Sequence, residues 1–239
     1  MGKVKLLLLF VVVAGIIAFF VLRERGERDD DDERSTSATT TAAEPTAPIQ
    51  PAGKEFTYNF DRDQVGGMPS HFHSALTGNG PKPEWVVQTD PSAPSKPNVL
   101  TQTSSDRTDY RFPLAVADDG SFVDLDLSVK FKAVSGKVDR AGGLVFRLKD
   151  ADNYYLVRAN ALEDNYNLYH VVRGSRREIT GSHVKVTSGE WHEIRVEMKG
   201  NRITCYYDGQ KKIEATDDAF KGCRQDRSVD QGGLRDFFR

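Results

Sequence analysis

The sequence predicts an all-β fold, an antiparallel β-sandwich preceded by a membrane-spanning helix and a disordered linker. Three observations predict it. After about residue 55, short segments alternate apolar and polar residues, the period of a strand with one buried face. Gly, Asn and Asp punctuate the joins at the spacing of an all-β domain. No convincing long amphipathic helix follows the linker. The chain has 239 residues, 38% hydrophobic and 28% charged, which excludes disorder along its whole length. Its 33 Lys and Arg nearly cancel 35 Asp and Glu, so the basic excess of a nucleic-acid binder is missing and no such partner is expected. Two cysteines exclude a disulfide-dense fold and a multi-cysteine zinc module.

Residues 1–23 are expected to be a signal anchor or a signal peptide. Lys3 and Lys5 precede an apolar run at 6–22 that carries no charge. As a helix it spans roughly 25 Å, just enough for a bilayer core of about 30 Å if its flanks snorkel. The run meets Arg23-Glu24-Arg25 with no small-residue cleavage site, so an uncleaved, single-pass anchor is expected, with secretion after cleavage as the alternative. Arg23, Arg25, Arg28 and Arg34 lean toward a cytoplasmic C-terminus. The character of the downstream chain argues for the opposite side, and the domain is expected to be extracytoplasmic. Residues 24–54 pass from charges to Ser, Thr, Ala and Pro without periodicity, a disordered linker.

The domain is expected over 55–222, with strands at 121–133, 143–149, 154–160, 165–173, 191–199, 202–207 and 211–215. In the first, Val123, Leu125, Leu127, Val129 and Phe131 face one side, while Asp124, Asp126, Ser128, Lys130 and Lys132 face the other. Asp124 and Asp126 are read as a solvated strand face. Ile194, Val196 and Met198 point inward from the strand at 191–199, and Ile203, Cys205 and Tyr207 from the next. Asp208-Gly209 is a hairpin signal. Cys205 reads as a small core residue rather than half of a disulfide with Cys223.

Three stretches carry a resemblance: RAGGLVFRLKDADNYYLVRAN at 140–160, GEWHEIRVE at 189–197 and ITCYYDGQK at 203–211. Together they resemble the concanavalin A-like lectin/glucanase superfamily, and within it the 3-keto-disaccharide hydrolase-like family, a former domain of unknown function. Laminin G-like modules share the W-H-x-x-R-V…D-G arrangement. The resemblance implies a two-sheet jelly roll with a concave face, in which Trp191 and Asp208-Gly209 are mainly structural. It places first strands at 58–63 and 85–88, with His71, Phe72 and His73 in a loop between them.

The tail departs from the family. Members end in a strand resembling Gly-Lys-Ile-Gly-Leu-Trp-Thr-Lys-Ala-Asp-Ser-Val-Thr-Ser-Phe-Asp-Asp. Residues 223–239 read CRQDRSVDQGGLRDFFR and have lost alternation. A DNA string can be written that encodes the family ending in one frame and, one base out of step, this tail followed by a stop codon. We therefore expect 223–239 to be an aberrant tail, a frameshift product replacing the last strand, with reduced stability as the consequence.

Chemistry is less marked. Glucanase-type sites set carboxylates on one strand as Glu-x-Asp-x-x-Glu, because acid and nucleophile must flank one bond. That pattern is missing, as are a nucleophile elbow, a P-loop and a dinucleotide motif. Catalytic residues therefore stay unknown and enzyme status open. Sugar sites join an aromatic platform to planar hydrogen-bonding groups. Alternation puts Tyr154, Leu156, Arg158 and Asn160 on one strand face. Arg147, Arg158, Asn160, Glu163 and Tyr169 are the expected ligand-binding residues. The alternative is that Arg158 and Glu163 simply pair and Tyr154 packs in the core. No metal site and no cofactor are expected; calcium through Asp61, Asp217 and Asp218 is the weak exception. Three functions compete: a noncatalytic carbohydrate-binding domain, whose partner is a glycan or oligosaccharide; a glycoside hydrolase of 3-keto-disaccharides, implied by the family alone; and a protein-binding laminin G-like surface domain.

Overall fold

The structure, a computed structural model, describes residues 55–95, 97–119 and 122–220 together with the backbone of 16–19. The linker, the tail and most of the leader lie outside the described residues. Among these residues the fold is all-β, in antiparallel sheets. Its strands are β1 (Ile16–Phe19), β2 (Phe72–Gly78), β3 (Trp85–Thr89), β4 (Asn98–Gln102), β5 (Arg111–Ala117), β6 (Leu125–Ala133), β7 (Ala141–Asp150), β8 (Asn153–Asn160), β9 (Asn165–Val172), β10 (Ser175–His183), β11 (Trp191–Lys199), β12 (Arg202–Tyr207) and β13 (Gln210–Thr216).

One sheet runs β13-β12-β11-β6-β1-β4-β3, the other β10-β9-β8-β7, and β2 pairs with β5. The sheets face each other across one core. β6 follows strict alternation, with Leu125, Leu127, Val129 and Phe131 buried. Its register against β11 sets Leu127 beside Val196 and Val129 beside Ile194, so one face of both strands is apolar. A Cβ at Gly142 of β7 would collide with the Phe131 ring, so this position lets the two sheets approach closely. Asp208 and Gly209 both have positive φ (46° and 76°), the geometry of a tight two-residue hairpin turn. Cys205 is fully buried and its thiol is free, as expected of a core residue.

Several expectations need correction. Val123 is 42% exposed, because β6 begins only at Leu125. Residues 58–63 form no strand: Phe60 takes a positive φ of 58°, its carbonyl closes a turn on the Asp63 N–H, and its ring is buried against Phe72. Phe72 and His73 open β2 instead of lying in a loop. β2, β4, β5 and β10 were not legible as strands. β5 is buried at every position and contains Pro113, and β10 is mostly exposed, so neither alternates. The helix expected at 6–22 lies outside the described residues, except that the backbone of Ile16–Phe19 is extended. Among the described residues, no helix is long and apolar enough to cross a membrane.

Candidate functional site

The register of β8 against β9 pairs Leu156 with Tyr169 and Arg158 with Asn167. These residues share the face opposite Tyr155, Val157, Leu168 and Tyr166, and Leu156, Arg158 and Tyr169 are buried there too. β10 continues the same outer face, with Glu178 opposite Tyr169 and Arg176 opposite Val171. The paired strands β2 and β5 cover one end of this face. There the Thr77 hydroxyl meets the Tyr154 hydroxyl at 2.7 Å, and Tyr154 is fully buried.

A polar cluster fills the remainder. Arg158 Nη1 donates to Asp139 Oδ2 at 3.0 Å and Nη2 to Glu163 Oε2 at 2.9 Å. Its guanidinium stands 5.7 Å from the Tyr169 ring centroid. Arg176 packs on the same ring at 4.9 Å and on Phe112 at 4.4 Å. Both guanidiniums therefore stand within cation–π range of the Tyr169 ring, which is itself buried. Asn165 Nδ2 donates to Glu163 at 2.8 Å, and Asn167 Nδ2 donates to Glu178 at 2.9 Å and to the Tyr169 hydroxyl at 3.1 Å. The Leu162 N–H donates to Asn160 Oδ1 at 2.9 Å. Burial holds the Asp139 carboxyl above the usual carboxylate range, although Arg158 pulls the other way. Burial also works to raise Glu163, but the Asn165 hydrogen bond and the Arg158 charge outweigh it and set Glu163 below that range.

Not every polar atom here is satisfied. Arg158 Nε, Arg176 Nη1 and Asn165 Oδ1 are buried and have no hydrogen-bond partner among the described residues. Such groups cost roughly 1–3 kcal/mol each when left unpaired; the two guanidinium nitrogens lie beside the Tyr169 ring, and the Asn165 oxygen lies farther along β9. Elsewhere, a cleft of about 310 Å³ is lined by Pro94, Lys130, Trp191, His192, Glu193 and Asp208. Two of its polar groups are engaged: His192 Nδ1 lies 2.8 Å from Asp208, and Trp191 Nε1 donates to Ser92 at 3.2 Å. We place the candidate site at Arg158 and Tyr169 on the unpartnered guanidinium nitrogens beside that ring.

The structure thus brings Arg158, Asn160, Glu163 and Tyr169 together and leaves Arg147 elsewhere. Arg147 sits at a bulge with φ of 48°, and its buried guanidinium donates to the carbonyls of Val123, Gly200 and Phe220. It ties three loops and does not line the outer face. Sequence reasoning missed Asp139, Asn167, Arg176 and Glu178. The last two lie on one face of β10, a strand whose exposed, charged sequence gave no apolar signal. Arg158 and Glu163 do pair and Tyr154 is a core residue, so the bland alternative describes part of the geometry. Asp61 and Asp217 have separate partners, Ser95 and Tyr155, and Asp218 accepts from Asn201. No cluster of three metal-ligating His, Cys, Asp or Glu side chains occurs among the described residues. His73 is engaged by Asp118 at 2.6 Å.

Residues 137–237 match the family model described as Laminin G domain. That stretch, less than half of the chain, is similar to laminin G domains. It contains β7 to β13 and therefore most of the outer-face cluster. An extracellular exo-alpha-L-arabinofuranosidase of Streptomyces chartreusis is 33% identical over 122 residues, covering 50% of this chain. The chain spans only 14% of the length of that enzyme. The solved carbohydrate binding module CBM66 from Bacillus subtilis aligns with a TM-score of 0.45 at 20% identity, over 60% of this chain and 79% of the module.

Proposed function

We propose that the laminin G-like domain is a noncatalytic carbohydrate-binding module, displayed outside the membrane by its apolar leader. The observation that carries the reading is the pair of unpartnered buried guanidinium nitrogens, Arg158 Nε and Arg176 Nη1, beside the Tyr169 ring. A sugar ring offers an apolar C–H face to an aromatic and hydroxyls that both donate and accept, which is what this cluster lacks. Asp139 and Glu163 are both committed to Arg158, which favours recognition over acid–base work. The arabinofuranosidase relative makes arabinose-containing oligosaccharides the first ligands to try.

The test is a glycan array followed by calorimetry on the full chain and on Tyr169→Ala and Arg176→Met. Binding without turnover, weakened about tenfold or more in both variants (at least ~1.4 kcal/mol each), is the expected result. Release of product from a 3-keto-disaccharide would replace this reading with the hydrolase. Capture of a protein partner indifferent to free sugar would replace it with the protein-binding domain. Protease accessibility on intact cells tests the location, and complete protection would overturn it.

A further inference from the structure

The outward faces of β6 and β11 carry charges and an aromatic ring that the reading above does not use. Asp126, Lys130 and Lys132 alternate with the buried residues of β6, and Trp191, Glu193 and Arg195 share the outward face of β11. Register sets Trp191 opposite Lys132 and Glu193 opposite Lys130. Several of these groups are committed. Arg195 donates to both oxygens of Asp126, at 2.8 Å each. Lys132 pairs with Asp90 and stands 5.2 Å from the Trp191 ring centroid. The Trp191 N–H is held by Ser92.

Lys130 and Glu193, between those two pairs, differ from them. Directly opposite residues of an antiparallel pair have Cβ atoms about 4.5–5.5 Å apart, close enough for opposite charges to meet. Among the described residues, neither side chain makes an ion pair or a hydrogen bond, with the other or with a third group. Both instead line the cleft of about 310 Å³, together with Trp191 and Pro94. The Asp208 carboxylate in the same lining is occupied, because Oδ2 faces His192 Nδ1 and Oδ1 accepts from the Glu193 N–H at 2.7 Å.

These features select a ligand. The volume is at the small end of the range for ligand pockets, about 300–1,000 Å³, and suits a single ring. The two open charges cancel, so a free anion or cation gains little. The ammonium of Lys130 needs an acceptor and the carboxylate of Glu193 needs a donor, and a hydroxyl can be either. The indole of Trp191 and the ring of Pro94 call for an apolar face. We propose that this cleft is a second sugar site, taking one neutral sugar residue whose C–H face lies on Trp191 and whose hydroxyls bond Lys130 and Glu193. It belongs to the seven-stranded sheet, whereas Arg158 and Tyr169 belong to the four-stranded one. The two sites share no residue, so the cleft stands whether or not the first site binds. With both in use the domain is bivalent and gains avidity on a polymeric glycan.

The experiment uses the isotope-labelled full chain in a detergent without a sugar head group. The chain has two tryptophans, Trp85 in the core and Trp191 at the cleft, so two indole N–H signals are followed by NMR. Trp191→Phe assigns them. Arabinose, xylose, galactose, glucose and fructose are titrated to tens of millimolar, with leucine as a zwitterionic control. At least one sugar is expected to move the Trp191 signal and leave that of Trp85 in place. Lys130→Met and Glu193→Ala should each weaken that binding about tenfold, with an unmoved Trp85 signal showing that the fold is intact. Tyr169→Ala and Arg176→Met should leave it unchanged. No shift with any sugar, a shift with leucine alone, or equal affinity in both cleft variants would overturn the site. Loss of the shift in Arg176→Met with the cleft variants unaffected would overturn it too, and would assign the binding to the first site.

Discussion

Arg158→Ala should destabilise the domain strongly, and for a reason confined to one partner. The guanidinium joins two carboxylates in unlike surroundings. The Asp139 side chain is 14% exposed and that of Glu163 is 55% exposed. An exposed pair contributes about 0–1 kcal/mol, so the loss on the Glu163 side is small. Breaking a buried pair from one side costs about 3–5 kcal/mol, because the remaining charge is left desolvated. We therefore expect a loss of roughly 3–5 kcal/mol, a fall in Tm of about 6–20 °C for a domain of this size. Adding Asp139→Asn removes the stranded charge and keeps an acceptor for the Arg140 N–H, so the double variant should recover most of the loss. The pH dependence gives a second check. Burial raises the Asp139 carboxyl and Arg158 lowers it, so truncating Arg158 raises it further. A folded-state pKa above the unfolded value gives stability that is complete below the unfolded value and is lost as pH rises through the folded one. The deficit of Arg158→Ala should then be largest near neutral pH and shrink as pH falls through the carboxylate range. Urea denaturation at several pH values measures it. A deficit independent of pH, or a double variant no more stable than the single one, would refute the reasoning.

Two further outcomes follow from the same structure. His192 is pushed down by burial but pulled up further by Asp208 and the Thr187 carbonyl, so its pKa is raised overall. Its contribution to stability is present below about pH 6.5 and declines as pH rises through the folded value, a slope that Asp208→Asn should flatten in denaturation curves between acidic and mildly alkaline pH. Arg147→Met removes the donors to Val123, Gly200 and Phe220. It should cost about 2–3 kcal/mol by calorimetry while leaving glycan affinity unchanged, since the side chain lies away from the outer face.

Strand identity was legible wherever one face is buried and the other wet. β11 and β12 have the bounds that the alternation predicts, and β6 has the predicted inner face from Leu125 onward. Where burial is two-sided, as in β5, or nearly lacking, as in β10, the period disappears and the sequence is silent. The same physics divides the candidate site. Tyr169, Arg158 and Asn160 could be assigned to one surface because they lie on paired strands whose side chains alternate. Arg147 could not be excluded by that rule, because a bulge turns its side chain under three loops. Composition and period are local properties, and by themselves they determined the all-β class, the apolar leader and the polar character of the outer face. Only the tertiary structure decided which carboxylates Arg158 meets, that Arg176 reaches Tyr169 from β10, and that β2 and β5 pair across two intervening strands of the chain. Those facts depend on register between segments far apart in the chain, which a local pattern does not encode.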